Sequence, residues 1–310
     1  MSIIVFGSIN MDLVAQTSRL PKAGETVLGN NFFTVPGGKG ANQAVAAAKL
    51  GVKTYLIGRV GGDIFGEELL ENLRLLEVNI DGVLIDSNIN SGTAIITVEE
   101  EGENSIIVIP GANGNLDDSD VQRLEPILAN ATALLLQLEV PLSPIQTVAN
   151  LAKKAGITVI LDPAPAPDRL PDDLYPLIDI ITPNETEAAR LVGFPINNEE
   201  AAEKAAQIFL NWGVKTAIIK LGSKGAFYAT KNQSGFIPPF PVKAINTVAA
   251  GDAFNGVMAA ALDRGLSLVE ALNWGAIAGA LTTTKMGAQT ALPNLEEVTN
   301  YLSQFIMNNQ

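Results

Sequence analysis

The chain has 310 residues, 47% hydrophobic and 17% charged, with 33 acidic against 20 basic side chains and a formal net charge of −13. The negative surplus disfavours non-specific binding to nucleic acid or anionic lipid, and the apolar fraction is enough for an ordinary globular core. Cysteine and histidine are both absent, which excludes disulfides, thiolate nucleophiles, Ser–His–Asp chemistry and HExxH zinc sites, and leaves Asp, Glu, Lys and Tyr for acid–base work.

The chain opens on an apolar strand over residues 2–6, with neither a basic leader nor a cleavage site, so the expectation is a cytoplasmic protein without a signal peptide. No run approaches the 18 or so apolar residues of a membrane span. Residues 12–33 are polar, turn-rich and strand-like, and a glycine-rich turn then opens a helix over 40–50. A strand at 54–57 and a helix at 66–76 follow. Residues 91–109 alternate as a hairpin, 92–99 against 104–109, around Glu100-Glu101-Gly102-Glu103. Beyond it come a helix at 119–129, a strand at 133–137, a helix at 143–155, and strands at 158–161 and 178–181. The chain continues with helices at 185–192 and 198–212, a strand at 216–220, and helices at 251–264, 267–283 and 294–308. This alternation predicts an α/β fold, a mainly parallel central sheet with helices on both faces. The two departures, about 12–36 and 91–109, predict a small antiparallel β lid on a single domain spanning 1–310.

Polar and glycine-rich features gather just past the predicted strands. Pro36-Gly37-Gly38-Lys39-Gly40-Ala41-Asn42-Gln43 combines close backbone approach, free helix-start N–H groups, a movable cation and a two-way amide. Phe33 stands where a Walker A glycine is needed, and position 43 lacks the third glycine of a dinucleotide fingerprint. A plain loop-to-helix turn is its structural alternative. Asn184 with Glu187 reads as a capping box that is compatible with a magnesium–phosphate site reached through water. Lys220-Leu221-Gly222-Ser223-Lys224-Gly225 suits either a phosphate loop or a hairpin turn.

The sharpest signal is Asp252, in the first turn of a long apolar helix behind Ala249-Ala250-Gly251. It could simply complement the helix dipole. It could also take a hydroxyl proton beside an anion hole made by the N–H groups of Ala250, Gly251 and Asp252. A carboxylate at a helix N-terminus is expected to be a weak base. Asn10 and Asp12 follow the first strand and Glu139 follows another. In an α/β sheet the strand C-termini line the ligand crevice, so these features converge on one edge.

Together these residues resemble the PfkB-type carbohydrate kinases, the ribokinase family of sugar kinases. The likeness runs from Gly7-Ser8-Ile9-Asn10-Met11-Asp12 and Gly24-Glu25-Thr26 through the glycine–lysine turn, Gly111-Ala112-Asn113, Gln137-Leu138-Glu139, Asp162-Pro163-Ala164-Pro165 and Thr182-Pro183-Asn184-Glu185-Thr186-Glu187. It closes with Leu221-Gly222-Ser223-Lys224-Gly225, Ala249-Ala250-Gly251-Asp252 and Gly287-Ala288-Gln289.

The resemblance implies a ribokinase-like fold and in-line phosphoryl transfer from ATP to D-ribose, giving D-ribose 5-phosphate, with Mg2+ as cofactor. It implies Asp252 as base, with Gly251 and Ala250 at the anion hole. Asn10, Asp12, Gly38, Lys39, Asn42 and Glu139 would bind sugar hydroxyls. Asn184, Lys220, Leu221, Gly222, Ser223, Lys224, Gly225 and Gly251 would bind ATP, with Glu187 and Asn184 near magnesium through water. The lid would exclude water, and lids from two subunits would pair in a homodimer. Family members usually carry Asp where this chain has Asn246 and often Ser where it has Ala291. With Val248, Thr282, Lys285 and Gly287 these positions form a monovalent-cation loop, so potassium activation is expected to be weak or absent. The alternatives are a sibling kinase acting on 2-deoxyribose, fructose or a nucleoside; a silent sensor, against which Asp252 stands; and a Rossmann dehydrogenase, against which the missing third glycine stands.

Overall fold

The computed structural model describes residues 1–99 and 104–308; the turn expected at Glu100-Glu101-Gly102-Glu103 lies outside the described residues. Strand β1 (Ser2–Phe6) shows how the core is organised. Its side chains alternate, so Ile3 and Val5 enter one apolar cluster and Ile4 and Phe6 the other, all fully buried. A strand covered on both faces reads as a continuous apolar run, as β1 does after Ser2.

Among the described residues the other strands are β2 (Asn10–Thr17), β3 (Gly29–Gly37), β4 (Thr54–Gly61), β5 (Asn79–Asp86), β6 (Gly92–Glu99) and β7 (Asn104–Ile109), followed by β8 (Ala131–Leu136), β9 (Thr158–Leu161), β10 (Ile180–Ile181), β11 (Thr216–Lys220), β12 (Ala226–Thr230) and β13 (Ser234–Ile237). Nine of them form one sheet in the order β13-β12-β11-β10-β9-β8-β1-β4-β5. Every pairing from β5 to β11 is parallel, and only the β11–β12 and β12–β13 pairings are antiparallel, so β12 alone is reversed. Helices α1 (Lys39–Ala48), α2 (Ile64–Leu75), α8 (Ala250–Asp263), α9 (Leu268–Thr282) and α10 (Leu295–Asn308) pack on one face. Helices α3 (Asp118–Gln122), α4 (Glu125–Leu128), α5 (Leu142–Lys154), α6 (Glu185–Val192) and α7 (Glu199–Asn211) pack on the other.

The remaining four strands form the expected small sheet, in the order β3-β2-β6-β7. Its two antiparallel pairs, β2–β3 and β6–β7, are joined along a parallel β2–β6 pair. Three local expectations change. The helix expected over 119–129 is two pieces, because Pro126 in the first turn of α4 has no N–H for the carbonyl four residues back. The strand expected at 178–181 shortens to Ile180–Ile181. Both edge strands of the large sheet, β5 and β13, occupy stretches with no predicted element; in β5, Asn79, Asp81 and Asp86 hide the apolar run.

One helix contact positions the site. A Cβ on Gly256 of α8 would stand 2.5 Å from the Gln43 carbonyl oxygen and 2.6 Å from the Ala46 Cβ, so glycine lets α8 lie directly on α1. That contact carries Asp252, one turn earlier, against the N-terminal turn of α1.

Candidate active site

Gly38 is the first hinge of the pocket. It takes φ 89, and a Cβ there would stand 2.7 Å from the Asn10 nitrogen, so glycine alone lets the turn lie against residues 8–10. The approach gathers donors on one carboxylate: Glu139 Oε2 accepts from Ser8 Oγ at 2.5 Å, from the Lys39 N–H at 3.1 Å and from Asn10 Nδ2 at 3.5 Å. Asn113 fixes the sense of the Asn10 amide. Its Oδ1 accepts the Ile9 N–H at 2.9 Å, so its Nδ2 donates to Asn10 Oδ1 at 2.7 Å and the Asn10 Nδ2 is left facing Glu139.

Asp12, two residues further along β2, lies over Gly37, where a Cβ would meet its Oδ2 at 2.5 Å. Burial, with the charges of Glu139 and Asp252, pushes the Asp12 carboxyl up to about 7, against the pull of Lys39. Burial alone would lower the Lys39 ammonium, but Asp252, Asp162, Glu139 and Glu187 outweigh it and hold Lys39 above the ordinary lysine range.

Asp252 is buried and doubly clamped. Asn42 Nδ2 donates to its Oδ2 at 2.9 Å and Gln43 Nε2 to its Oδ1 at 3.1 Å. Burial pushes it up to about 6, opposed by Lys39 and by the two amides and reinforced by Asp162. The weak base expected from a helix N-terminus is therefore corrected, because loss of water outweighs Lys39 and the hydrogen bonds. Ala249 enters α8 with φ 61, left-handed for a residue that carries a Cβ, a strain of order 1 kcal/mol. The strained turn directs the Ala250 N–H to the Thr247 carbonyl at 3.4 Å. Of the three amides expected at the anion hole, that of Ala250 thus has a backbone partner, whereas the Gly251 and Asp252 N–H groups have none among the described residues.

The segments expected to bind ATP take up their structural alternatives, a capping box and a hairpin turn. Asn184 and Glu187 form the capping box: the Glu187 N–H bonds Asn184 Oδ1, and the two Glu187 oxygens take the Asn184 N–H at 2.8 Å and its Nδ2 at 2.9 Å. Burial and the charge of Asp162 raise Glu187, against Lys220, the Asn184 N–H and Lys39. With both oxygens engaged, Glu187 fits a divalent cation held through water rather than directly, and among the described residues no three acidic side chains are grouped as direct ligands. The Lys220–Gly225 segment is the hairpin turn into β12. It separates its two lysines: Lys220 Nζ reaches Asp162 Oδ1 at 3.1 Å and lies beside Gly251, while Lys224 turns away to Glu185 at 3.1 Å.

The loop matching the family's monovalent-cation positions, where weak or absent potassium activation is expected, closes on itself. Asn246 Nδ2 donates to the Gly287 carbonyl at 3.3 Å, and Asn246 Oδ1 accepts the Val248 N–H at 3.1 Å. Thr282 Oγ1 donates within its own helix, Lys285 pairs with Glu297, and Ala291 presents a buried methyl. An amide N–H on the carbonyl and a nearby ammonium do not fit a cation there.

Ser8, Gln43, Asn113, Gln137 and Asp162 received no role from the sequence. Three of them share a signal: Ser8, Gln137 and Asp162 are each the first polar residue after the buried strands β1, β8 and β9. Among the described residues the pocket gathers five carboxylates, those of Asp12, Glu139, Asp162, Glu187 and Asp252, around the ammonium groups of Lys39 and Lys220.

Comparison with known proteins finds similar carbohydrate kinases. The profile described as pfkB family carbohydrate kinase matches residues 1–295. The ribokinase of Haemophilus influenzae is 43% identical over 301 residues, covering 97% of this chain and 98% of its own. The deoxyribokinase of Salmonella typhi is 37% identical over 303 residues, covering 98% and 99%. The solved structure of Arabidopsis thaliana ribokinase complexed with ribose and ATP superposes with a TM-score of 0.89 at 36% identity, covering 97% of this chain and 98% of that one.

Proposed function

The chain belongs to the pfkB family of carbohydrate kinases and is an ATP-dependent sugar kinase, and we propose that it phosphorylates D-ribose to D-ribose 5-phosphate through Asp252. The observation that carries this reading is the placement of Asp252, clamped on both oxygens, beside two unpaired helix-start amides and next to the Asn10–Glu139 pocket. The sugar's primary hydroxyl gives its proton to Asp252 as its oxygen bonds the γ-phosphorus of ATP. The bond from that phosphorus to the bridging oxygen breaks, and ADP leaves with the electron pair. The transition state is loose, so positioning and charge stabilisation do most of the work.

Asn10, Asp12, Gly38, Lys39, Asn42 and Glu139 bind the other hydroxyls. A polyol needs many paired donors and acceptors, and the Asn42 Oδ1, buried without a partner, supplies one unused acceptor. Asn184 and the Lys220–Gly225 turn hold ATP, with Lys220 and the Gly251 and Asp252 amides at the transferring phosphoryl group. Magnesium bound with ATP neutralises phosphate charge, and Glu187 with Asn184 would hold it through water. The acidic surplus of the pocket suits a nucleotide that arrives with a divalent cation. Potassium has no part in the reaction, given the Asn246–Gly287 bond and the missing oxygen at Ala291.

The whole chain acts as one catalytic unit in which the four-stranded sheet serves as lid, and the exposed Ile106, Ile107, Val108 and Ile109 of that sheet support a homodimer through it. A kinase that consumes ATP belongs in the cytoplasm. The test is coupled ADP release with ribose, 2-deoxyribose, fructose and adenosine, each with potassium and with tetramethylammonium in its place. Ribose should give the highest kcat/KM, and a higher value for 2-deoxyribose overturns the sugar assignment. Replacing potassium should lower turnover by less than about tenfold, a barrier change of ~1.4 kcal/mol, and a larger drop overturns the exclusion of potassium.

A further inference from the structure

We propose that Gln43 is a positioning residue for phosphoryl transfer: its side-chain amide, oriented by Gln137, ties Asp252 to the Asp162–Lys220 ion pair. The inference rests on the reading of Asp252 as base. Gln43 and Gln137 are both buried, at 1% and 0% exposure, so neither amide can turn to solvent. The Nε2 of Gln43 has two hydrogens and two carboxylate acceptors, Asp252 Oδ1 and Asp162 Oδ2, both at 3.1 Å. Its Oε1 accepts from Gln137 Nε2 at 2.7 Å. A flipped Gln43 amide would set its oxygen against both carboxylates and lose the Gln137 bond, so one orientation is enforced.

Asp162 passes the restraint onward. Its second oxygen holds Lys220 Nζ at 3.1 Å, and that ammonium stands 3.3 Å from where a Cβ on Gly251 would lie. The proton acceptor, the amide end of α8 and the phosphate-side cation are therefore connected through one buried amide. Asn42 holds the other oxygen of Asp252 but makes no bond to Asp162, so it lacks this linking role.

The charged groups facing Asp252 are Lys39 at the head of α1, Asp162 after β9 and Asp12 on β2, with Glu139, Glu187 and Lys220 acting on those in turn. Against this background the Gln43 hydrogen bond favours the ionised form of Asp252. Removing it makes Asp252 harder to ionise at a given pH.

The experiment is the pH dependence of kcat for Gln43→Met and Gln137→Met, with Asp252→Asn in parallel and each variant's melting temperature recorded. Gln43→Met should move the acidic limb of kcat upward by roughly one pH unit, a tenfold change in proton affinity, with ribose KM changed less than about threefold. Gln137→Met, which leaves Gln43 in place but frees its amide, should move the limb in the same direction by less. It carries the test alone if Gln43→Met does not fold. An acidic limb unmoved in Gln137→Met, and in Gln43→Met where that variant folds, overturns the positioning role, even if turnover falls. Asp252→Asn with wild-type turnover overturns the base assignment itself, and the inference with it.

Discussion

Two carboxylates of the proposed sugar pocket carry very different loads. Glu139 accepts three hydrogen bonds, whereas Asp12 has none among the described residues and is pushed up to about 7 by burial and its acidic neighbours. Between roughly pH 4 and 7 the folded protein therefore holds a proton on Asp12 that the unfolded chain has released. Stability from that proton is fully present below the unfolded value and is lost as pH rises through 7. Asp252, raised to about 6, acts in the same sense over a narrower window. Asp63 and Asp179 are lowered and lose their contribution only in more acidic solution, outside this range. The ligand-free protein should accordingly melt at a higher temperature at pH 5.5 than at pH 8, read by scanning calorimetry. Asp12→Asn should raise the melting point at pH 8 by removing a buried charge, worth ~2–4 kcal/mol, while weakening ribose binding. A variant that melts lower at pH 8 would show that the Asp12 charge is compensated in the free enzyme.

At the scale of elements, the site depends on how closely α8 lies on α1. Gly256→Ala would place a methyl 2.5 Å from the Gln43 carbonyl oxygen, backbone that cannot move aside as a flexible side chain would. The expected result is a loss of about 1–3 kcal/mol in denaturant unfolding, and a fall in kcat larger than any rise in KM because Asp252 withdraws from α1. Unchanged kcat would mean that helix spacing does not set the position of the base. The same contact shows what could be read from the chain and what could not. Short apolar runs and helical apolar patterns located β1, β9, β11, α6 and α9 within a residue or so, and the glycine–lysine turn and the Asp252 segment were legible because each is local. The amide network was not, since Gln43 meets Gln137 across 94 positions and Asn42 meets Asp252 across 210. A local pattern does not encode which distant partner fills an amide's hydrogen bonds. Edge strand β5 was missed for another reason, its polar residues resembling those of a loop.

At the scale of the whole molecule, the four-stranded sheet leaves apolar side chains in water that a closed surface would cover. Ile107 is 62% exposed and Phe32 63%. If two copies pair through this sheet, sedimentation velocity should give a dimer for the wild type, and Ile107→Lys should halve the mass, since a buried unpaired ammonium is costly. A monomeric wild type would remove the dimer from the reading. The sheet is also joined to the pocket in an unusual way. Strand β2, which begins at Asn10 and carries Asp12, is flanked on both sides within it, Asn10 pairing with Gly37 and with Gly92. The residues proposed to bind the sugar are therefore part of the proposed lid itself. If that sheet is the lid, any tilt of it drags Asp12 along, so that prying it open and loosening the sugar would be a single mechanical act.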